Sequence, residues 1–485
     1  MKKEKLIDLM LCLGVLAAML LFFERAHPLV ILDADDWTYI SQSRVALPVP
    51  SFWNPARILP ELLMPWSAGL GVLLFGSRPY IAAITLMNGL VLSLFITGYV
   101  YAFFRLLTDR LALQRGRAAL LAALFLLLHF TIFRTEDAGN GYLFHTRDVT
   151  CVYYYVIPGL LNCTLVMQLA RTGLHRRLWE RRELGAKTLL LLAAYLAVFS
   201  NLFESAILAC WCGVELLTAL LRARKDGFRL RAFLQEQSFS LLLILSWLAS
   251  IAFEGMGGRS DLHEALPMLP ALAQSLRGTL AFFRGVYWMP ALLAAAVFLA
   301  LALLRPAKGR MAERALLLGL LGMGALLLVF EILLCARVEP GYVQRSDVMF
   351  GCCFALLALT MLGLGLLLVR YERLTLLLGL LGLLLFSVTN TRQRSFLDCN
   401  DLMAPAELCT ALDELVIEQV LAAEAGGEQK ALVRVPDYGG DNWPQTLYMG
   451  DRVAASLYKH GVIQRPMEIE ILPDPMLNER FHVLE

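Results

Sequence analysis

Three carboxylates follow the first apolar run of the chain, in the stretch Asp33-Ala34-Asp35-Asp36-Trp37. Adjacent residues on a helix point about 100° apart. Asp36 or Asp35 can therefore face a reacting group while its neighbour orients a partner. Packed carboxylates stay ionised only beside a cation, hydrogen-bond donors or water. This pattern suits a general base that takes the proton of an attacking hydroxyl. Asp33 and Asp35 also offer hard oxygen ligands to a divalent cation such as Mg or Mn. A solvated acidic cap at a helix boundary explains the same residues without chemistry.

A second set joins cations to aromatics. It comprises Arg57 in Trp53-Asn54-Pro55-Ala56-Arg57, Arg134, His145 and Arg147 in Phe144-His145-Thr146-Arg147-Asp148, and Arg337, Arg345 and Asp347. Guanidinium forks match phosphate oxygens; snorkelling to lipid phosphates is the plainer alternative. Tyr153, Tyr154 and Tyr155 read as an interfacial aromatic belt, with Tyr154 kept as a substrate contact. A third set is polar within apolar runs: Asn162, Glu204 in Ser200-Asn201-Leu202-Phe203-Glu204, and Glu331. Ionisable groups at membrane depth are costly and point to function, although Ser200–Glu204 also fits a tight turn that reaches water. Asn162 suits interhelical hydrogen bonding. Glu331 suits pairing with an arginine or a place near an interface.

The elements that position these residues follow from composition. The 485 residues are 58% hydrophobic and 17% charged. A soluble fold carries roughly a quarter charged residues, so lipid must be the solvent for most of this chain. Net charge is +2, which gives no reason to expect a nucleic-acid partner. Apolar runs at 6–23, 80–104, 118–133, 151–170, 188–200, 205–221, 237–253, 289–304, 315–335, 348–369 and 374–389 predict about eleven transmembrane helices. The first run has no small-residue cleavage site after it and reads as an uncleaved anchor. The loops alternate. One set is rich in Lys and Arg and belongs in the cytoplasm; the other is longer, more acidic and more aromatic. The alternation holds only if 188–221 crosses twice, as a short or partly re-entrant hairpin. The N-terminus is then inside and the tail outside.

Two outside loops are long, 24–79 and 254–288, with 58–76 and 266–280 expected to lie along the interface. Beyond residue 389 the composition turns polar. Helical spacing over 404–424 and 449–460, and short apolar strands at 431–435 and 467–472, predict a small α/β domain. The chain therefore divides into 1–389, a polytopic all-α membrane domain, and 390–485, a C-terminal α/β domain outside the membrane. Of the ten cysteines, Cys399 and Cys409 lie in the polar tail, where a disulfide is open to them; those in apolar runs behave as small hydrophobes. Walker A, HExxH and GxSxG patterns are absent, as is GxGxxG between a strand and a helix.

The acidic first loop, many spans, arginines on the same face and polar tail resemble the GT-C superfamily of membrane glycosyltransferases, in particular bacterial O-antigen glucosyltransferase-like proteins. The likeness rests on Asp35-Asp36-Trp37, Trp53–Arg57, Tyr153–Asn162 and Asn201–Glu204, and spans most of residues 1–389. It implies a sugar donor on polyprenyl phosphate and an acceptor that is an extracytoplasmic glycan, lipid or cell-wall polymer. It further implies a first-loop Asp as base, with Arg57, Arg147 and Arg345 stabilising the departing phosphate and Glu204 orienting the acceptor or an arginine. The tail lacks an oligosaccharyltransferase signature, which argues against peptide acceptors. A transporter or flippase of a lipid-linked glycan is the rival reading, and a non-catalytic envelope assembly protein is the third.

Overall fold

The computed structural model describes residues 2–31, 34–130, 143–144, 146–180, 182–258, 267–285, 311–393, 406–437 and 448–481. Asp33, Arg134, His145, Cys399 and the run 289–304 lie outside the described residues. The protein is a multi-pass helical membrane protein. Among the described residues seven helices are long and apolar enough to cross a bilayer, or eight if one bent pair counts as a span, against the eleven expected. The described apolar helical stretches over 118–133, 188–200 and 374–389 are too short, and 289–304 is not described. The membrane part is built from α1 (Lys2–Leu21), α2 (Ala34–Tyr39), α3 (Ile58–Phe75), α4 (Tyr80–Arg110) and α5 (Arg115–Leu128). The chain continues through α6 (Val149–Cys151), a π-helical turn (Val152–Val156) and α7 (Ile157–Thr172), which together form one long helix. Next come α8 (Leu184–Val198), α9 (Leu202–Asp226), α10 (Leu230–Glu236), α11 (Ser238–Glu254) and α12 (Met268–Gly285). After them stand α13 (Met311–Val338), α14 (Phe350–Arg370) and α15 (Leu374–Gln393).

The expected hairpin over 188–221 is present. α8 is only 15 residues long, the chain breaks at Phe199–Asn201, and α9 begins with Asn201 as its cap, whose side-chain oxygen accepts from Phe203 N. Ion pairs gather the basic loops at one end of the bundle. Arg115 pairs with Asp8, Arg117 with Glu372 at 2.8 Å, Arg171 with Asp109 at 2.8 Å, and Arg176 with Glu215 at 2.7 Å.

The segment 58–76 departs from the interfacial expectation. α3 packs along α4 in the opposite direction: Gly71 lies against the Ala83 carbonyl, and Ser67 Oγ donates to Asn88 Oδ1 at 2.5 Å. α4 ends at the basic end of the bundle, where Arg110 Nε donates to the Ala170 carbonyl. So α3 runs the same way as α1, with the π-helical turn Phe22–Ala26 and the six-residue α2 as the described helical elements between them. It starts inside the bundle, level with the α8–α9 break, where Leu59 N donates to the Phe199 carbonyl at 2.9 Å.

Glycines set the close helix contacts. A Cβ on Gly319 would meet the Trp211 ring at 3.1 Å, one on Gly322 would meet Val214 at 3.2 Å, and one on Gly324 would meet Ala355 at 3.0 Å. Small residues let backbones approach where lipid supplies no hydrophobic drive.

The tail forms the expected small α/β region. α16 (Ala406–Ala425), β1 (Lys430–Val435), α17 (Met449–Lys459), β2 (Glu468–Pro473) and α18 (Met476–Phe481) follow in order. The two strands pair in parallel, with Ala431 opposite Ile469 and Val433 opposite Ile471. Ala431, Val433 and Val435 alternate inward, the period-2 pattern of a half-buried strand. This region sits on the first loop. Ser456 Oγ donates to the Trp37 carbonyl, and the Tyr80 hydroxyl meets His460 Nδ1 at 2.7 Å. The rings of Trp37 and Tyr80 stack with centroids 6.2 Å apart.

Candidate functional site

The two adjacent aspartates have separate fates. Asp36 is fully buried, and its Oδ1 accepts from Thr150 N at 2.7 Å and Thr150 Oγ1 at 2.6 Å. It fastens α2 to the start of the long helix. Asp148 does similar work one step away, capping the same helix by accepting from Cys151 N at 2.8 Å. Asp35 is exposed. The two side chains thus differ in setting: Asp36 ties α2 to the long helix, and Asp35 is solvent-exposed.

Beneath α2 lies a buried polar network. Arg44 Nη1 pairs with Glu61 Oε2 at 3.0 Å. The same guanidinium donates to the carbonyls of Asn54 at 2.7 Å, Pro55 at 2.8 Å, Leu47 at 3.2 Å and Val45 at 3.3 Å. One arginine thus holds the loop between α2 and α3. Glu61 Oε1 accepts from Asn54 Nδ2 and from the Tyr154 hydroxyl, both at 3.0 Å. Asn54 Nδ2 also reaches the Tyr39 hydroxyl at 2.9 Å. Burial pushes the Tyr39 hydroxyl above its usual range; Glu61 and Asp35 push the same way, and Arg57 opposes them. Tyr39 therefore lies within electrostatic reach of both Asp35 and Arg57.

Arg57 stands at the head of α3. Its guanidinium lies 5.4 Å from the Tyr154 ring centroid, and its Nε meets Glu254 Oε2 at 3.4 Å. Burial alone would lower the Arg57 pKa; the Glu254 carboxylate outweighs it and holds the group charged above its usual range. Nη1 of Arg57 is buried with no hydrogen-bond partner among the described residues. Arg345 is held similarly. It forks onto Asp347 at 2.5 and 3.0 Å and lies 4.8 Å from the Tyr155 ring centroid. Burial would lower its pKa too, and Asp347 more than reverses that.

Tyr153, Tyr154 and Tyr155 are buried inside the protein, at 0%, 2% and 7% exposure, so they are not a lipid-facing belt. Their π-helical turn sends the three rings to different neighbours. Tyr153 donates to Asn88 Oδ1 at 2.9 Å, Tyr154 reaches Glu61 and Arg57, and Tyr155 underlies Arg345. An extra residue in a helical turn is a recurrent feature of functional sites.

The other candidates lie apart. Arg147 Nε meets His27 Nδ1 at 3.2 Å and acts electrostatically on Cys409, so it belongs to the junction with the tail. Burial pushes the Cys409 thiol up to about 12. Arg337 is exposed at the end of α13 and makes no ion pair among the described residues. Asn162 donates to the carbonyls of Pro158 at 2.9 Å and Ala197 at 3.3 Å, tying α7 to α8. Glu204 and Glu331 are buried, at 0% and 1% exposure, and neither carboxyl has a hydrogen-bond partner among the described residues. The two are brought to one level. Gly351 of α14 lies between Ile207 of α9 and Leu327 of α13, and Glu204 and Glu331 stand one turn from those two residues. Glu331 pairs with no arginine among the described residues, in contrast to the first alternative read from the sequence.

Glu61, Glu254, Arg44 and Asn54 enter the site from the structure alone. Glu61 carried a usable signal, a lone acid in an apolar run; Arg44 and Glu254 carried none, because their partners are 17 and 197 residues away. No group of three or more His, Cys, Asp or Glu side chains among the described residues is placed to hold a metal ion. Comparison with models of known families, with curated proteins and with solved structures gives no match.

Proposed function

We propose that the protein is a membrane glycosyltransferase of the GT-C kind, with Asp35 as the general base. In this reading it moves a sugar from a polyprenyl-phosphate donor to a glycan, lipid or wall polymer, with the basic end in the cytoplasm and the tail outside. The observation that carries the proposal is the division of labour at α2: Asp36 accepts from Thr150, while Asp35 is exposed on the same short helix as Tyr39, whose ring packs 5.1 Å from the Tyr154 ring that Arg57 stands over. A base must reach the hydroxyl whose proton it takes, and the other face of the reaction needs positive charge where the phosphate leaves. Arg57 brings an unused N–H and Arg345 a second guanidinium on the adjacent tyrosine.

Asp35 accepts the acceptor's proton as its oxygen attacks the anomeric carbon. The bond from that carbon to the phosphate oxygen breaks, and the arginines take up the charge. The test offers radiolabelled polyprenyl-phosphate sugars to membranes carrying the wild-type chain or Asp35→Ala. Label passing to a polymer or lipid in the wild type, and not in the variant, is the expected result; equal transfer by both removes Asp35 from the mechanism.

A second reading, a transporter of a lipid-linked glycan, is favoured by a different observation. Glu204 and Glu331 have no hydrogen-bond partner among the described residues and lie within apolar helices, and transport pathways retain such groups. Substrate flipping in liposomes, lost in Glu204→Gln without loss of sugar transfer, would favour it.

A further inference from the structure

At the basic end of the bundle, a short helix leaves the membrane direction. α9 ends in Arg222, Arg224 and Lys225, and the chain then turns through Phe228 and Arg229 into α10. α10 meets α11 at an angle of 70° across a break at Gln237. α10 thus stands well off the line of α11, directly after the basic end of α9. None of its seven residues is buried.

α10 is not polar in spite of this exposure. Leu230 and Leu234 are 59% and 45% exposed and share a face by their spacing of four. Phe228 is 47% exposed beside them. Trp179 comes from the preceding loop and is 73% exposed; its Nε1 donates to Ser238 Oγ at 2.9 Å, which pins the ring at the root of α11. Trp179, Leu230, Arg231, Leu234, Gln235 and Ser238 line an open groove of about 480 Å³.

The charge around this groove is mainly positive. Arg222, Arg224, Lys225, Arg229 and Arg231 are exposed and form no ion pair among the described residues. At the same end of the bundle, Arg115, Arg117, Arg171 and Arg176 are each paired. Glu180, Glu183 and Glu236 form no ion pair with the five among the described residues, and over 222–236 the five bases outnumber Asp226 and Glu236. An apolar groove floored by a pinned indole and rimmed by unsatisfied cations fits a ligand with one apolar and one anionic end. At a membrane surface that ligand is a phospholipid.

We propose that this elbow is a binding site for one anionic phospholipid of the leaflet at the basic end. An acyl chain lies over Trp179, Leu230 and Leu234, and the phosphate meets Arg229 and Arg231. Zwitterionic lipid gains the same apolar contact but brings its own cation to the rim, so the site discriminates by charge.

The test uses the full chain in detergent micelles, titrated with phosphatidylglycerol or phosphatidylcholine and read by native mass spectrometry. The wild type is expected to retain one phosphatidylglycerol at concentrations where phosphatidylcholine is not retained. The double variant Arg229→Gln/Arg231→Gln should need roughly thirtyfold more phosphatidylglycerol, given the usual strength of each basic residue at an anionic surface. Arg373→Gln removes an exposed charge at the same end, away from the elbow, and should bind as the wild type does. Trp179→Ala should weaken both lipids together. These are surface positions, and unchanged melting temperatures will show that the fold is kept. Equal retention of the two lipids, an unaffected double variant, or an equal loss in Arg373→Gln would each overturn the site.

Discussion

The polar network under α2 and the carboxyls between α9 and α13 are both buried, yet they are built in opposite ways. Glu61 receives three donors, from Arg44, Asn54 and Tyr154. Glu204 and Glu331 receive none among the described residues. A satisfied buried carboxylate ties elements together, whereas an unsatisfied one costs stability and persists for some other reason. The first region is therefore a scaffold that fixes the loop beside Asp35, and the second is a place where stability has been given up.

Breaking the scaffold should have the largest effect. Arg44→Ala removes the charge that pairs with Glu61 and uncaps several loop carbonyls. It should cost about 3–5 kcal/mol, the usual penalty for leaving one partner of a buried ion pair alone. Thermal unfolding of the purified protein measures this. A loss under about 1 kcal/mol, typical of exposed pairs, would mean that the network does not hold the loop.

Matched Glu-to-Gln changes sharpen the contrast. Glu61→Gln should destabilise by about 1–3 kcal/mol, because buried donors lose their charged acceptor. Glu204→Gln and Glu331→Gln should leave the melting temperature unchanged or raise it. Equal destabilisation by all three would erase the distinction between the regions. Gly351→Ala tests whether the unsatisfied pair sits in a tightly packed joint. A Cβ there collides with Ile207 and Leu327, and overpacking of this kind typically costs about 1–3 kcal/mol.

A pH dependence is expected at the tail junction. Burial, with help from Lys459, lowers the His460 pKa to about 4. The unfolded chain has the ordinary value near 6.5, so the unfolded state binds the extra proton between these limits. His460 then contributes fully above about pH 6.5, and its contribution is lost as pH falls toward 4, by up to roughly 3 kcal/mol. Asp413, in the same region, is raised by burial and by Glu414 and has the opposite sign: its contribution is lost as pH rises through its folded value. Melting curves of wild type and His460→Gln between pH 4 and 7 separate the two. The acid-side slope should flatten in the variant, and an unchanged slope would remove His460 as its source.

Much of the architecture was legible because its causes are local. Apolar length marks a span, and the polar interruption at Ser200–Asn201 marks the α8–α9 break. Alternation at 431–435 marks a strand; the break and the strand appear in the structure, and six of the eleven apolar runs lie in described helices long enough to cross. α3 was misread because Glu61 and two prolines lower its apolar character, while its burial depends on Ser67 and Gly71 meeting α4. The tyrosines were misread as a belt because residue type alone does not say which way a ring faces; the π-helical turn decides that. The aspartates were visible as a cluster, but their division of labour depends on Thr150, 114 residues from Asp36.

That division is the central claim, and one paired measurement tests it most directly: sugar transfer and melting temperature in Asp35→Asn and Asp36→Asn, side by side. Asp35→Asn should lose transfer from a polyprenyl-phosphate donor and melt as the wild type does. Asp36→Asn should melt lower, because Thr150 loses its charged acceptor, and keep measurable transfer below its melting point. Full transfer in Asp35→Asn, or a stable but inactive Asp36→Asn, would contradict the account.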